Sequence, residues 1–451
     1  VIPNIRLPII LLFLACCFLP ISLIAAPLET VRNTNDMGAG SLRQAIIDVN
    51  PYGEIIFNLP GPTAHTIFVQ SELLIDKSLT ISGPGSNQLT IDGTGSAIRV
   101  ITVNDEVVGQ SNVVISGLTV DGGLSAINGI FNRENLTVND ITVKGTQDGL
   151  VAAGQFSAGA LLTVNDSLLT DNTQSGLFVF GAIGAPSEGS TVIINRTTIT
   201  KNEDFGIINF GTQLDSAVSS TVIINKSTIS GQPIAVFNDG GNAPNASGGV
   251  VDMRNSTMSG HTNVAFFNNG PGVDGALGPV CRISSSTIAD NEVGLIYNDS
   301  NIDVLTMEVK NSIIGDNVID CSIPGGGLAG LGNNLDTDGS CEGFMQVTPA
   351  ALNLGPLLNN GGPTETHALI SPSAAIDIVT DCTFIDEAPV FEDQRGFFRP
   401  PVICDAGAFE LGAAPVVERN VATISQWGIL ITALLLGITS LVFYKKTIKS
   451  A

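Results

Sequence analysis

The 451-residue chain contains one tryptophan, three tyrosines and three histidines, and only 14% of its residues are charged. The three histidines stand alone at His65, His261 and His367, which excludes a histidine-built zinc centre and leaves no Ser-His-Asp set to argue for. Basic residues are also scarce, 19 against 42 acidic ones, for a net charge of −23. Such a surface repels phosphate backbones and anionic headgroups, so nucleic acid is excluded as a partner of the folded body. No stretch of the chain body repeats at 3.6 residues, which excludes a helical bundle. The 50 glycines fit a turn-dense all-β chain instead.

What the chain does have is a repeat. Between Leu136 and Asn317 one phrase returns as LTVNDITV, LTVNDSLLTDN, VIINRTTITKN, VIINKSTISGQ, DMRNSTMSGH, RISSSTIADN and VKNSIIGDN. Its last apolar residues are Val143, Leu169, Ile199, Ile229, Met258, Ile288 and Ile314, a near-constant period of about 30 residues. A second phrase alternates with it and carries Phe180, Phe210, Phe237, Phe267 and Tyr297. Runs of Val, Ile, Thr and Phe bounded by Gly, Asn, Asp and Ser read as short strands. A unit of about 30 residues built from two or three such strands cannot bury both its faces, so neighbouring units stack at about 4.8 Å. The expected fold is all-β, a right-handed parallel β-helix over residues 66–320 with roughly nine or ten coils.

Stacking turns sequence positions into columns. Asn172, Asn202, Asn291 and Asn317 read as an amide ladder at a corner. Asp171, Asp290 and Asp316 each precede one of these asparagines, and calcium is the ion that such an edge would take, although the expected cofactor is none. The aromatic column reads either as a packing stack or as a sugar-binding stripe. Asp140, Asp166, Arg196 and Lys226 follow one another at equivalent positions and read as a solvated face of alternating charge, with no catalytic set visible.

The ends differ from the body. Residues 1–26 carry Arg6, an apolar run and Ala25-Ala26, the pattern of a secretory signal peptide. Residues 27–65 form a cap whose helix is announced by Ser41 and Gln44, with Leu42, Ala45, Ile46 and Val49 on one face. Residues 321–411 hold Cys321, Cys341, Cys382 and Cys404; in an exported chain two local bridges, Cys321 to Cys341 and Cys382 to Cys404, are the simplest arrangement and leave Cys281 odd. A linker at 412–420 leads to residues 421–451, where ILITALLLGITSLVFY is long enough to cross a bilayer and Lys445, Lys446 and Lys449 hold its far end in the cytoplasm.

Three motifs add a resemblance. NTNDMGAGSLRQAI is similar to the amino-terminal Cys-Ser-Leu-Arg-Glu-Ala-Ile motif of secreted bacterial β-helix proteins, with Gly40 in place of the Cys and Gln44 in place of the Glu. NLGPLLNNGGPTETHALISPSAAID, DQRGFFRP and CDAGAFE resemble the carboxy-terminal module of choice-of-anchor Q proteins. The tail VATISQWG with its apolar run and lysines resembles the IPTL-CTERM sorting signal, matched at Thr423, Ser425, Trp427 and Gly428. The last resemblance implies an exosortase-type membrane protease as partner and a tail that is cut after export. The expected function is an exported, surface-displayed or shed β-helix, adhesin-like or structural in the cell envelope, facing an extracellular glycan or a neighbouring surface. The alternative is a polysaccharide lyase or glycoside hydrolase, since a parallel β-helix also carries those activities.

Overall fold

Within each coil the side chains alternate as the pleat requires. In Leu161–Asn165, Leu162 and Val164 are buried while Leu161, Thr163 and Asn165 are half-exposed, and Thr191–Asn195 and Thr221–Asn225 repeat the pattern. These inward residues stack on their counterparts in strict register, Leu162 on Val192 on Val222. The chain then turns a corner into a three-residue strand such as Leu168–Thr170, turns again, and enters a strand of the second sheet such as Ser175–Phe180. The seven apolar residues that define the repeat, Val143 through Ile314, are all mutual register partners.

The computed structural model describes residues 27–416, apart from 63, 96–98, 107–109, 155–158, 183–187, 216–217, 299–306 and 324–326. It is a parallel β-solenoid of about nine turns, with one 22-stranded sheet that wraps the corner and a second, 10-stranded sheet. One continuous apolar core runs from Val31 to Cys341. The signal-peptide and membrane-tail expectations fall outside the described residues. Among the described residues no helix is long and apolar enough to cross a membrane.

Both boundaries expected for the solenoid move outward. Leu28–Val31 pairs with Gly53–Phe57, which in turn pairs with Leu79–Ser82, so part of the cap is already sheet. At the other end Leu328–Leu331, Leu335–Asp336 and Met345–Gln346 continue the parallel pairing beyond residue 320. These strands are short and irregularly spaced, so no period betrays them. The cap helix Leu42–Asp48 forms as expected, with Ser41 accepting from the Gln44 N–H at 3.2 Å. Only half of the capping box is present, because Gln44 Nε2 donates forward to Asp48 instead. Both expected disulfides, Cys321–Cys341 and Cys382–Cys404, are formed, and Cys281 is free and buried.

The corner between the two strands of the wrapped sheet has a fixed chemistry. Asp140, Asp166, Arg196, Lys226, Asn255, Ser285 and Asn311 all adopt left-handed backbone, with φ between 44° and 53°. That conformation costs a non-glycine residue about 1–2 kcal/mol. It keeps the corner N–H aimed along the axis: Asp166 donates to Asn195, Arg196 to Asn225 and Lys226 to Arg254. The next residue is a hydroxyl in six successive coils: Ser167, Thr197, Ser227, Ser256, Ser286 and Ser312. Each accepts the backbone N–H of the preceding coil, as in Thr197 N to Ser227 Oγ at 3.1 Å and Ser227 N to Ser256 Oγ at 3.1 Å. Each also donates to the carbonyl two residues back, as Ser227 does to Asn225 at 2.7 Å. The buried amides along this column are thereby paired.

The hydroxyl column makes a direct prediction. Ser227→Ala strands the buried Thr197 N–H and should cost about 1–3 kcal/mol of unfolding free energy, whereas Ser227→Thr, the residue already used one coil earlier, should cost much less. Urea or thermal unfolding of the two variants distinguishes them. An alanine variant as stable as wild type would show that the column carries no load.

Candidate functional site

The carboxy-terminal segment does not extend away from the solenoid. It folds back as a strap over the corner column, from Lys226 to Asn311. Gln394, fully buried, donates to Ser227 O at 3.2 Å and Thr228 Oγ1 at 2.9 Å and accepts from Thr257 Oγ1 at 2.6 Å. Asn255 donates to Glu392 O, Asn311 to Asp381 O, and Gly407 N to Asn311 O. Three ion pairs cross the seam with one polarity, cation on the solenoid and anion on the strap: Lys226 with Glu392, Arg254 with Asp386 at 2.9 Å, and Lys310 with Asp381 at 2.8 Å.

The residues of DQRGFFRP and CDAGAFE build the strap's interior. Arg395 donates through Nε and Nη2 to the one oxygen Oδ2 of Asp393, at 2.8 and 2.6 Å, and also donates to Glu410 O at 2.7 Å. Arg399 is fully buried and donates to the carbonyls of Asp405 and Gly407. Burial pushes the Glu410 carboxyl up to about 7, against the opposing pull of Arg399. His367, also in this segment, is buried between Gly355 O and Ser259 Oγ. These polar residues hold the strap together and onto the coils.

The strap's edge separates two kinds of corner. Where it covers the column the corner residues are neutral and buried: Asn255, Ser285 and Asn311. Where it stops they are charged, and Asp140, Asp166 and Arg196 are exposed, with Lys226 half-exposed at the boundary. The uncovered corners line an open groove of about 590 Å³, joined by Ser86, Lys201 and Ser230 and walled at the strap end by Asn359, Pro363, Thr364 and Glu365. That volume lies within the range of small-ligand sites. Arg196 pairs with Asp166 through Nε at 2.7 Å and Nη2 at 2.6 Å, which leaves Nη1 outside the pair. Ser86 Oγ donates to Asp140 at 3.2 Å. A smaller cavity of about 400 Å³ continues along the seam between Arg196, Lys226, Arg254, Phe384 and Glu392.

The four residues expected as an alternating-charge face are therefore brought together, but three of them are held in ion pairs. Arg196 binds Asp166, and Lys226 binds Glu392 of the strap. Lys201 and Glu365 were not foreseen. Lys201 stands at the second left-handed corner of its coil, φ 56°, one place before Asn202, and Glu365 arrives from a segment far downstream. The i-to-i+5 step from Arg196 to Lys201 across one coil was the only available signal.

The remaining expected residues lie elsewhere. Asp171, Asp290 and Asp316 occupy the second left-handed corner, at φ 54°, 61° and 59°. Asp290 and Asp316 are on adjacent coils, while Asp171 is four coils from Asp290. Burial, with Asp290 and Asp320, pushes the Asp316 carboxyl up to about 6. The asparagine ladder holds in two segments, Asn172 to Asn202 at 2.9 Å and Asn291 to Asn317 at 2.8 Å, interrupted by Gln232 and His261. A second ladder, Asn209 to Asn238 to Asn268, stands inside the other sheet at 2.9 and 2.8 Å.

The aromatic column is corrected. Register joins Phe178, Ile208, Phe237, Phe267 and Ile296 in one outward row, so Phe180 and Phe210 belong to the row beside it. Tyr297 pairs with Asn268 in the inward row and is buried. Asn209 pairs with Asn238, so the counterpart of Phe210 is Asp239, and Phe237 arrives too early in its coil to continue the row. Such a slip moves a side chain to another row or face. Successive rings are half-buried and meet tilted or edge-on, at centroid distances of 4.4–6.3 Å, the geometry of aromatic packing.

Among acids with raised values, Asp148 lies outside the groove, on the second sheet, where burial pushes its carboxyl up to about 6 against the Ser175 hydrogen bond. A raised folded-state value means that stability from this group is present in acid and lost as pH rises through about 6. Asp148→Asn should therefore raise the melting temperature at neutral pH, by an amount corresponding to at most about 3 kcal/mol, and give little gain near pH 4. Thermal unfolding against pH checks it, and a variant with the wild-type profile would contradict the assignment.

No known family profile matches this chain, and no curated protein matches its sequence. Among solved structures the fold is similar to that of the pectate lyase Pel9A, 14% identical with a TM-score of 0.52, over 86% of this chain and 97% of that one. An alginate lyase from Paenibacillus sp. str. FPU-7 is 14% identical with a TM-score of 0.35, over 67% and 99% of the two chains. The A-module of the Azotobacter vinelandii mannuronan C-5 epimerase AlgE6 is 13% identical with a TM-score of 0.37, over 67% and 97%. At 14% identity the likeness to Pel9A is one of fold.

Proposed function

We propose that this chain is an exported β-helix protein that binds an extracellular polysaccharide in the groove along the uncovered corners and cleaves it, as a lyase or a glycoside hydrolase. The observation that carries the reading is the change in the corner column at the strap's edge. Buried corners are neutral, whereas the corners left open keep Asp140, Asp166 and Arg196 exposed in spite of the left-handed strain. Carboxylates and a guanidinium repeated once per coil suit the hydroxyl pairs of a linear sugar chain, which supplies donors and acceptors at a steady interval. The pectate lyase whose fold this chain shares supports the same substrate class.

The groove contains parts for either cleavage. Asp140 and Asp166 stand on adjacent coils, at about the separation that places two carboxyl groups on one glycosidic bond. For elimination, Lys201 in its neutral amine form would take the proton beside a uronate carboxylate and become the ammonium, while Arg196 Nη1 would hold that carboxylate. The bond to the leaving sugar oxygen then breaks as the ring double bond forms, and that oxygen takes a proton from water. Incubation with pectate, alginate and neutral glucans should release new chain ends: unsaturated ends signal elimination, and reducing ends without them signal hydrolysis. Lys201→Ala should lower elimination, or Asp140→Asn hydrolysis, by at least about 100-fold. If no polysaccharide releases ends, the cleavage reading is wrong.

The sequence motifs favour a second reading, which concerns display. The cap motif resembles that of secreted bacterial β-helix proteins, the strap motifs resemble those of choice-of-anchor Q proteins, and the tail resembles an IPTL-CTERM signal, so the ectodomain would reach the cell envelope or the medium after an exosortase-type protease cuts near Thr423 to Trp427. TISQW before the apolar run is more specific than anchoring requires, and Trp427 suits the membrane interface. The divisions at residues 26, 65, 320, 411 and 420 belong to this reading, with the solenoid's own limits widened as described. Replacing Ser425 and Trp427 by Ala should leave insertion intact and block maturation. Mature wild-type protein from the native host that still carries Lys449 would refute processing.

A further inference from the structure

The last coils bring together three carboxylates. Asp320, in the strand Ile319–Ser322, Asp336, at the end of Leu335–Asp336, and Asp338, in the turn that follows, each offer one oxygen, and these lie within 4.8 Å of one another. Two oxygens that each lie about 2.4 Å from a single calcium ion are at most about 4.8 Å apart, so the spacing suits one coordination sphere. Asp320 and Asp336 are fully buried. Among the described residues no ion pair reaches any of the three.

Two of the acids are fixed in position by donors. Asp320 Oδ1 accepts from Asn317 N and Nδ2 at 3.2 and 3.0 Å, and its Oδ2 accepts from Thr337 N, Thr337 Oγ1 and Asp338 N at 2.6, 2.8 and 3.1 Å. Asp338 accepts from Ser340 N and Oγ through Oδ1 at 2.8 and 2.6 Å, and from Asp320 N through Oδ2 at 3.0 Å. Asp336 is different. Its Oδ2 takes the Cys341 N–H at 3.2 Å, but its Oδ1 is buried without any hydrogen-bond partner. Leaving a buried charged oxygen unpaired costs several kcal/mol, by the general magnitude for such groups. A polar oxygen in that state, on a side chain that belongs to a convergent set of carboxylates, points to a ligand.

We propose that Asp320, Asp336 and Asp338 bind one calcium ion at the carboxy-terminal end of the solenoid, beside the Cys321–Cys341 bridge. The donor set is all oxygen, and the thiols of Cys321 and Cys341 are locked in the disulfide, which disfavours zinc. Magnesium demands a tighter, near-octahedral set and retains several waters, whereas calcium accepts irregular carboxylate geometry. The ion ties the strand at 319–322 to the turn at 336–340, on coils where strands have shrunk to two residues and the backbone ladder is weakest. This inference is independent of the groove and of any activity there.

The test uses the purified full chain, stripped with EGTA and titrated with calcium chloride by calorimetry, with thermal unfolding followed in calcium and in EGTA. One ion per chain and a melting temperature several degrees higher in calcium are expected. Asp336→Asn should lose the binding heat and the calcium-dependent shift, yet melt no lower than wild type in EGTA, because it removes an unpartnered buried charge. Asp338→Asn, on the exposed turn, should also lose calcium binding, and Asp171→Asn, on a distant coil, should retain it. Wild type that melts at the same temperature in calcium and EGTA, or Asp336 and Asp338 variants that still bind calcium, would overturn the site.

Discussion

Seven successive coils of this protein, from Asp140 to Asn311, turn the same corner, and the hydrogen bond from one coil's N–H to the next coil's hydroxyl is what allows them to do so. A parallel sheet bent sharply would leave amides facing nothing. Here the left-handed residue turns its N–H along the axis, and the Ser or Thr after it closes the gap in six successive coils. The remaining structure inherits this register. Apolar residues stack inward because the corner fixes which side of each strand faces in, and charged residues stack outward at one place per coil for the same reason.

The repeat and the core were legible in the sequence because both are periodic. Val143 through Ile314 recur once per coil and are register partners throughout. The disulfides were legible because two local pairs of cysteines are near in sequence and the bridges close short loops. The corner was not, because it shares a phrase with the strands: Asn-Arg-Thr and Asn-Lys-Ser look like strand continuation until the backbone reverses at Arg196 and Lys226. The aromatic rows misled for a related reason. A ring is conspicuous in sequence, but inward apolar residues such as Val236 and Phe266 set the register, so Phe237 and Tyr297 fell in different rows from the one assigned to them. The strap could not be read at all from local pattern, since Gln394 meets Thr257, and Glu392 meets Lys226, only through the tertiary fold.

The strap also changes what the charged column means. Read alone, Asp140, Asp166, Arg196 and Lys226 are ordinary solvated residues. Beside buried Asn255, Ser285 and Asn311 they are the part of a column that packing did not neutralise, with a wall at one end formed by Pro363 and Glu365. The overall charge of −23 acts at long range, but within a Debye length of about 8 Å the nearest groups decide. In the groove those groups are mixed in sign, as the proposed binding of sugar hydroxyls and of a single carboxylate would require.

Hydrogen exchange on the chain, alone and with pectate, alginate or a neutral glucan, tests the groove most directly. The account predicts that at least one polysaccharide slows exchange around Asp140–Thr142, Asp166–Leu168, Arg196–Lys201 and Asn359–Glu365 while leaving the second sheet unchanged. Protection centred instead on Phe178–Phe180, Phe237 and Phe267, or no protection with any of the three, would contradict it.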